Sequence, residues 1–200
     1  MFTSSGAWPG DFIDPPVPFT LPPNPQFNGD DDYQNWGVDT ANLVFYIGHG
    51  SPDVITFAKG NLFYNNPQLS HSWGDDALNW LCFLSCQVLS NDWSGLNAAV
   101  RWGGAFNGLH SLTGFYTLAG AGSGFPGAFA REMLGLGQPA QTIVKSWFDS
   151  AQAHGTGGPA ALGPVGPAGV WNVNDHYWGK GSVGPTIRAA QIEGWWYLGL

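Results

Sequence analysis

The sequence predicts an α/β domain built on a mostly parallel sheet flanked by helices. The continuous apolar run Leu43-Val44-Phe45-Tyr46-Ile47 has the length and the aromatic and β-branched content of a strand buried on both faces, and the run Leu78-Asn79-Trp80-Leu81-Cys82-Phe83-Leu84 is a second buried-strand candidate. Each run ends in small or reactive residues, Gly48-His49-Gly50 after the first and Ser85-Cys86 after the second. Helical stretches follow and alternate with further apolar runs, the order that parallel strands require.

The elements follow in order. Residues 1–29 hold Pro9, Pro15, Pro16, Pro18, Pro22, Pro23 and Pro25, too dense for a helix or a central strand. They read as an extended arm with Trp8, Phe12, Phe19 and Phe27 as anchors. Asn28-Gly29-Asp30-Asp31-Asp32 reads as a solvated acidic turn, since the remaining ligands of a calcium loop are missing. After the first strand, residues 51–72 read as irregular chain or a small hairpin. After the second, Trp93 to Trp102 reads as a helix, with Asp92 as N-cap and Gly103-Gly104 as its stop. Gly108 to Phe115 is a third strand. Phe125 to Leu136 is a helix ended by Gly137, and Pro139 starts another that runs to about Ala153. The Gly/Pro/Ala-rich stretch from Gly155 to Gly169 reads as a loop, and the aromatic tail as one or two edge strands. The whole chain reads as one domain: the arm, a body over 40–153 and a loop-rich part over 154–200.

Composition removes several function classes. Hydrophobic residues make up 44% of the chain, enough for a real core, whereas charged residues make up only 10% and the net charge is −8. Six basic residues cannot form the patch that nucleic acid or an anionic membrane requires. No apolar stretch reaches the length of a spanning helix, and Met1 to Asp14 lacks the basic and apolar regions of a secretory signal. Cys82 and Cys86 sit four positions apart on one strand, about 13 Å at ~3.3 Å per residue, too far for a disulfide. Two free thiols fit a reducing compartment, so a cytoplasmic location is expected. No CxxC, HxxH or HExxH spacing is present, and the glycine-rich run from Gly120 to Gly124 lacks the lysine and acidic partners of nucleotide loops. Neither a metal nor a cofactor is expected.

The chemistry lies where the two strands end. Ligands of open parallel sheets sit outside the carboxyl ends of the strands. If the two runs are neighbours, His49 and Cys86 face one crevice, and a Cys–His pair suffices for nucleophilic catalysis. Gly48 and Gly50 let a substrate approach the backbone, and Gly50 offers an N–H to an oxyanion. Ser85, and Thr113 and Phe115 at the end of the third strand, line the same crevice under this reading. His176 and Trp178, in the run Asn174-Asp175-His176-Tyr177-Trp178, border it. Plainer readings exist for the other titratable residues: Cys82 as core, His110 as a satisfied core histidine, and His154 as a cation at a helix C-terminus. His71 has no informative context. Eleven tryptophans and few charges suggest an aromatic-walled pocket.

A hydrophobic strand ending in His-Gly, followed by one ending in a small residue and Cys, resembles the caspase-like (clan CD) peptidases. The matching segments are Leu43–Gly50 and Trp80–Cys86. The continuation (a helix, Gly103-Gly104-Ala105, a strand and two further helices) is similar to the CHAT and gingipain branches, so the resemblance spans about 40–153. The two blocks also resemble those of a bacterial family that carries the same His-Gly and Ser-Cys pairs. The resemblance implies a caspase-like sheet, His49 as general acid/base, Cys86 as nucleophile, and the N–H groups of Gly50 and Cys86 as the oxyanion hole. The chain departs from that pattern in two respects. A short, proline-rich segment precedes the His strand, and no charged residue marks a pocket for Asp, Arg or Lys side chains. The expected function is a cysteine hydrolase or acyl transferase acting on an amide, ester or thioester of a largely apolar small-molecule or peptide substrate. The alternatives are a biosynthetic cyclase or transferase using His49 as acid/base, and a non-catalytic Trp-rich binding module.

Overall fold

The structure is a computed structural model and describes residues 39, 41–57, 60–65, 72–120 and 124–199. The proline-rich arm with its four aromatic anchors, the acidic turn at 28–32, His71 and residues 121–123 of the glycine-rich run lie outside the described residues.

The chain forms β1 (Leu43–Ile47), β2 (His49–Ser51), β3 (Val54–Phe57), β4 (Gly60–Phe63), β5 (Trp80–Leu84), α1 (Ala98–Trp102), β6 (Ser111–Phe115), α2 (Phe125–Leu134), α3 (Ile143–His154), β7 (Pro159–Val165) and β8 (Gly194–Gly199). The main sheet has the order β1-β5-β6-β7-β8. β1, β5 and β6 are parallel, and β7 runs antiparallel between β6 and β8. Four of the five strands therefore share one direction. β2, β3 and β4 form a separate antiparallel sheet, the small-hairpin form of the two expected for that region.

Strand alternation divides the core into two layers. Phe45, Trp80, Cys82, Leu84 and Phe115 face α2 and α3. α2 answers with Phe125, Phe129 and Met133, and α3 with Ile143, Trp147 and Ala151, each set spaced i, i+4, i+8 along one helix face. Trp147 is the centre of this layer: its ring lies 4.8–5.8 Å from those of Phe45, Phe115, Phe125 and Phe129, and its indole N–H donates to the Gly114 carbonyl at 2.8 Å. On the other face Val44, Tyr46, Leu81 and Phe83 pack with Ile55 and Leu62 of the small sheet and with Trp73, Trp102 and Phe106.

Several sequence expectations are corrected here. The helix expected from Trp93 begins only at Ala98, capped by the Asn97 side chain rather than by Asp92, because Trp93 and Leu96 pair with each other in a turn. α2 ends at Leu134, where Gly135 takes the left-handed conformation expected of Gly137. α3 starts at Ile143 with the Thr142 hydroxyl as cap, so Pro139 precedes it by more than a turn. His154 is the last residue of α3, the helix C-terminal position expected for it.

The largest correction concerns Gly155 to Gly169, which contains not a loop but β7, buried between two neighbours. Its composition is a packing requirement. Ala160 and Ala161 are fully buried, and a Cβ on Gly163 would collide with the Trp196 ring and lie 2.7 Å from the His110 carbonyl. Pro159 is the first residue of the strand. Pro164 lies beyond the β6 ladder, which ends at Leu162, so its missing N–H interrupts no bond to β6. β8 is the edge strand expected in the aromatic tail.

The approach to β5 is pinned by Asp39. Its carboxylate is fully buried and accepts the N–H groups of Gly74 (2.9 Å), Asp76 (2.6 Å) and Leu78 (3.1 Å). Burial, helped by the neighbouring Asp75 carboxyl, pushes this carboxyl up to about 7, a rise that the Asp76 and Gly74 N–H groups reduce but do not cancel.

Candidate functional site

β1 and β5 pair in parallel from Leu43↔Trp80 to Ile47↔Leu84. The two chains stay together one step further. Gly48 N–H donates to the Leu84 carbonyl at 3.2 Å, and the Ser85 hydroxyl donates to the Gly48 carbonyl at 2.8 Å. The next residue on each chain is His49 and Cys86. In the alternation of the sheet both positions continue the face that carries Phe45, Cys82 and Leu84. Counted on from that register, the two residues stand at the same level beyond the carboxyl ends of neighbouring strands.

Beyond this point the chains diverge. His49 opens β2 and is exposed. Cys86 is half-buried and enters a turn in which Gln87 has a φ of 57°, a left-handed conformation rare for a residue with a side chain. The surroundings hold that turn from every side. Gln87 N–H donates to the Thr117 carbonyl at 2.8 Å and Leu89 N–H to the Phe115 carbonyl at 3.0 Å. The Val88 carbonyl accepts from the Trp102 indole at 2.8 Å and from Arg101 at 3.4 Å, and Arg101 also donates to the Ser90 carbonyl. The Tyr197 hydroxyl donates to the Leu89 carbonyl at 2.8 Å. Arg101 is 2% exposed, and burial lowers its pKa.

The Cys86 sulfur meets backbone. It accepts the Ala119 N–H at 3.3 Å and donates to the Ala119 carbonyl at 3.6 Å. Its own N–H has no acceptor among the described residues. The His49 ring makes no hydrogen bond among the described residues, to Cys86 or to any other group. Gly50 lies against the turn: a Cβ there would stand 3.0 Å from both Ser85 Oγ and Val88 Cγ2. Ile47, two residues before His49, and Leu118, next to the Ala119 that bonds the Cys86 sulfur, are both exposed. Cys82, in contrast, is wholly buried, and burial pushes its thiol up to about 12.

The structure therefore places His49 and Cys86 each two residues beyond the paired ends of β1 and β5, with Gly50 against Ser85 and Val88. Gly48 and Ser85 were expected to touch substrate. They bond to each other instead, and Ser85 is 1% exposed, so they tie the strand ends. Thr113 and Phe115 are corrected to core positions, both fully buried. Thr113 is the ladder partner of Cys82, below the strand ends, and Phe115 packs on Phe125 and Trp147. His176 and Trp178 are not at this edge. Trp178 packs on Trp80, the first residue of β5, with ring centres 5.9 Å apart. Cys86 lies six residues further along, about 20 Å at ~3.3 Å per residue.

The reading of His110 as a satisfied core histidine holds, and what sequence reasoning missed is its partner. His110 Nδ1 lies 2.6 Å from Asp175 Oδ2, and both residues are buried. The only available hint was the run around His176. The partner within it is Asp175, and no local pattern connects residues 65 positions apart.

Among the described residues no cluster of three or more His, Cys, Asp or Glu side chains is placed to hold a metal ion, and no helix is long and apolar enough to cross a membrane. No curated protein and no solved structure matches the chain. A family model does match it over residues 2–199, almost its full length, under the description "Domain of unknown function (DUF6345)". The chain belongs to that domain family.

Proposed function

We propose that this protein is a cysteine-dependent hydrolase or acyl transferase on a caspase-like α/β scaffold, acting on an amide, ester or thioester of a largely apolar substrate. The observation that carries the reading is the β1–β5 register, whose last pair, Ile47↔Leu84, stands two residues before His49 on one chain and Cys86 on the other. Cys86 attacks the carbonyl carbon as thiolate. The carbonyl oxygen gains negative charge and takes the unpartnered Cys86 N–H as donor. His49 receives the thiol proton and passes it to the leaving group, which departs and leaves a thioester on Cys86. Water or an amine, deprotonated by His49, resolves the thioester. The exposed Ile47 and Leu118 suit an apolar acyl group, and among the described residues no charged side chain hydrogen-bonds Cys86 to select an ionic one.

The test is the alkylation rate of Cys86 against pH, in the native chain and in His49→Ala, read by peptide mass spectrometry. Rapid labelling below pH 7 that disappears in His49→Ala supports the pair. Slow labelling that His49→Ala leaves unchanged refutes it. One observation favours a second reading: the sulfur is bonded to Ala119 and not to His49. In that reading His49 acts alone as acid/base in a cyclase or transferase. Activity would then survive Cys86→Ala and be lost in His49→Ala.

A further inference from the structure

At the opposite edge of the sheet the geometry points to a second acyl-transfer site, in which Thr186 is the nucleophile, His110 its base and Asp175 the orienting carboxylate. His110 stands just before β6 and is 1% exposed; Asp175 is 4% exposed. The carboxylate is aimed. One oxygen faces His110 Nδ1 at 2.6 Å and the other accepts the Gly184 N–H at 2.7 Å. Asp175 is held by its own backbone as well, its N–H bonding the Asn172 carbonyl (3.2 Å) and its carbonyl accepting from Ile143 (2.8 Å).

With the Nδ1 proton directed at Asp175, the neutral ring presents a lone pair at Nε2. That atom lies 3.5 Å from the hydroxyl oxygen of Thr186, which is exposed. The Trp80 ring stands edge-on to the imidazole, centres 6.0 Å apart at 79°, and limits its rotation. The threonine is seated from both sides. Asn172 Nδ2 donates to the Pro185 carbonyl at 3.0 Å, and Ile187 is buried. Gly184 is required for this seating, since a Cβ would collide with Asn172 Oδ1 and stand 3.3 Å from Asp175 Oδ1.

An exposed hydroxyl, a buried imidazole and a buried carboxylate in that order form the arrangement that activates an alcohol. A clamp that only held the loop would not need a ring nitrogen facing the exposed hydroxyl. At 3.5 Å the last contact is longer than a formed hydrogen bond, and such contacts tighten when substrate is bound. The half-exposed Trp178 beside Trp80 supplies a flat apolar surface, so the substrate class is an ester with an aromatic or apolar acyl group. The Thr186 oxygen bonds to the ester carbonyl carbon while its proton passes to His110 Nε2. The bond from that carbon to the alcohol oxygen then breaks, and the proton leaves with the alcohol. Water reverses both transfers and releases the acid.

The experiment uses the full chain carrying Cys86→Ala, so that the first site cannot contribute. An aryl fluorophosphonate, which phosphonylates activated hydroxyls and releases fluoride, is the probe, and peptide mass spectrometry reads the modified residue. Thr186 is expected to label at least tenfold faster in the folded chain than in the urea-unfolded chain. Thr186→Val, on the surface, should abolish labelling and keep the native urea midpoint. Thr186→Ser should retain it, and His110→Gln should remove it. Because His110→Gln risks misfolding, the valine and serine variants and the folded-to-unfolded ratio decide alone. Labelling of Thr186 no faster than in the unfolded chain, or labelling only at other residues, overturns the site.

Discussion

Replacing Gly48 by alanine tests the packing that delivers His49 to the sheet edge. A Cβ at this position collides with the hydroxyl and Cζ of Tyr46 and stands 2.9 Å from its Cε1. The ring cannot simply swing away. It is 3% exposed, lies edge-on to Phe83 with centres 6.0 Å apart, and its hydroxyl donates to the Thr56 carbonyl of the small sheet. Overpacking of this kind costs ~1–3 kcal/mol. Losing the Tyr46–Thr56 bond adds ~0.5–1.5 kcal/mol. Gly48→Ala should therefore destabilise the protein by about 2–4 kcal/mol, a fall in urea midpoint of ~1–2 M for a slope of ~2 kcal/mol/M. Urea unfolding followed by tryptophan fluorescence measures it. The decisive control is Tyr46→Leu, which deletes all three colliding atoms; in that background Gly48→Ala should cost under about 1 kcal/mol. Equal costs in both backgrounds would refute the collision and place the effect in the backbone. The same variant should also slow Cys86 alkylation in the folded protein, because displaced β1 no longer aligns His49 with β5.

Other predictions follow from buried groups. Cys82 should resist alkylation in the native state at neutral pH while Cys86 reacts, because a rise from the usual 9.0 to about 12 lowers the thiolate population about a thousandfold and no surface of Cys82 reaches solvent; mass spectrometry of timed iodoacetamide labelling reads both, and equal rates would contradict the burial. Asp39 binds its proton more tightly folded than unfolded, so its contribution to stability is complete below pH ~4 and is lost as pH rises towards 7. Asp39→Asn should flatten that slope and cost ~1–3 kcal/mol by turning an amide N–H towards one of the three backbone donors; an unchanged slope in urea titrations across pH 4–8 would assign it to other groups. Arg101→Leu leaves the Ser90 carbonyl without its guanidinium partner and should cost ~1.5–3 kcal/mol, with slower Cys86 alkylation because the turn after Cys86 loosens. Loss of stability with an unchanged alkylation rate would show that Arg101 does not position the thiol.

What the sequence determined by itself is what local pattern encodes. The apolar runs at Leu43–Ile47 and Trp80–Leu84 are buried strands because nothing polar interrupts them, and they are parallel neighbours as their context implied. Their ends therefore marked His49 and Cys86 without any knowledge of the fold. The two long helices were legible for the same reason, through spacing that repeats within one element, although their ends moved by a few residues with the caps. Tertiary structure alone decided the rest. β7 carries small residues because Trp196 and the His110 carbonyl occupy the space a side chain would need, a requirement set by distant partners. Phe115 is core because α2 and α3 fold over the end of β6, and Trp178 sits at the far edge because its loop docks on Trp80. The His110–Asp175 pair joins residues 65 apart, and its buried hydrogen bond exists only when both side chains are withdrawn from water together. Periodicity records which face of one segment leaves water; which segments then meet is a property of the packed whole.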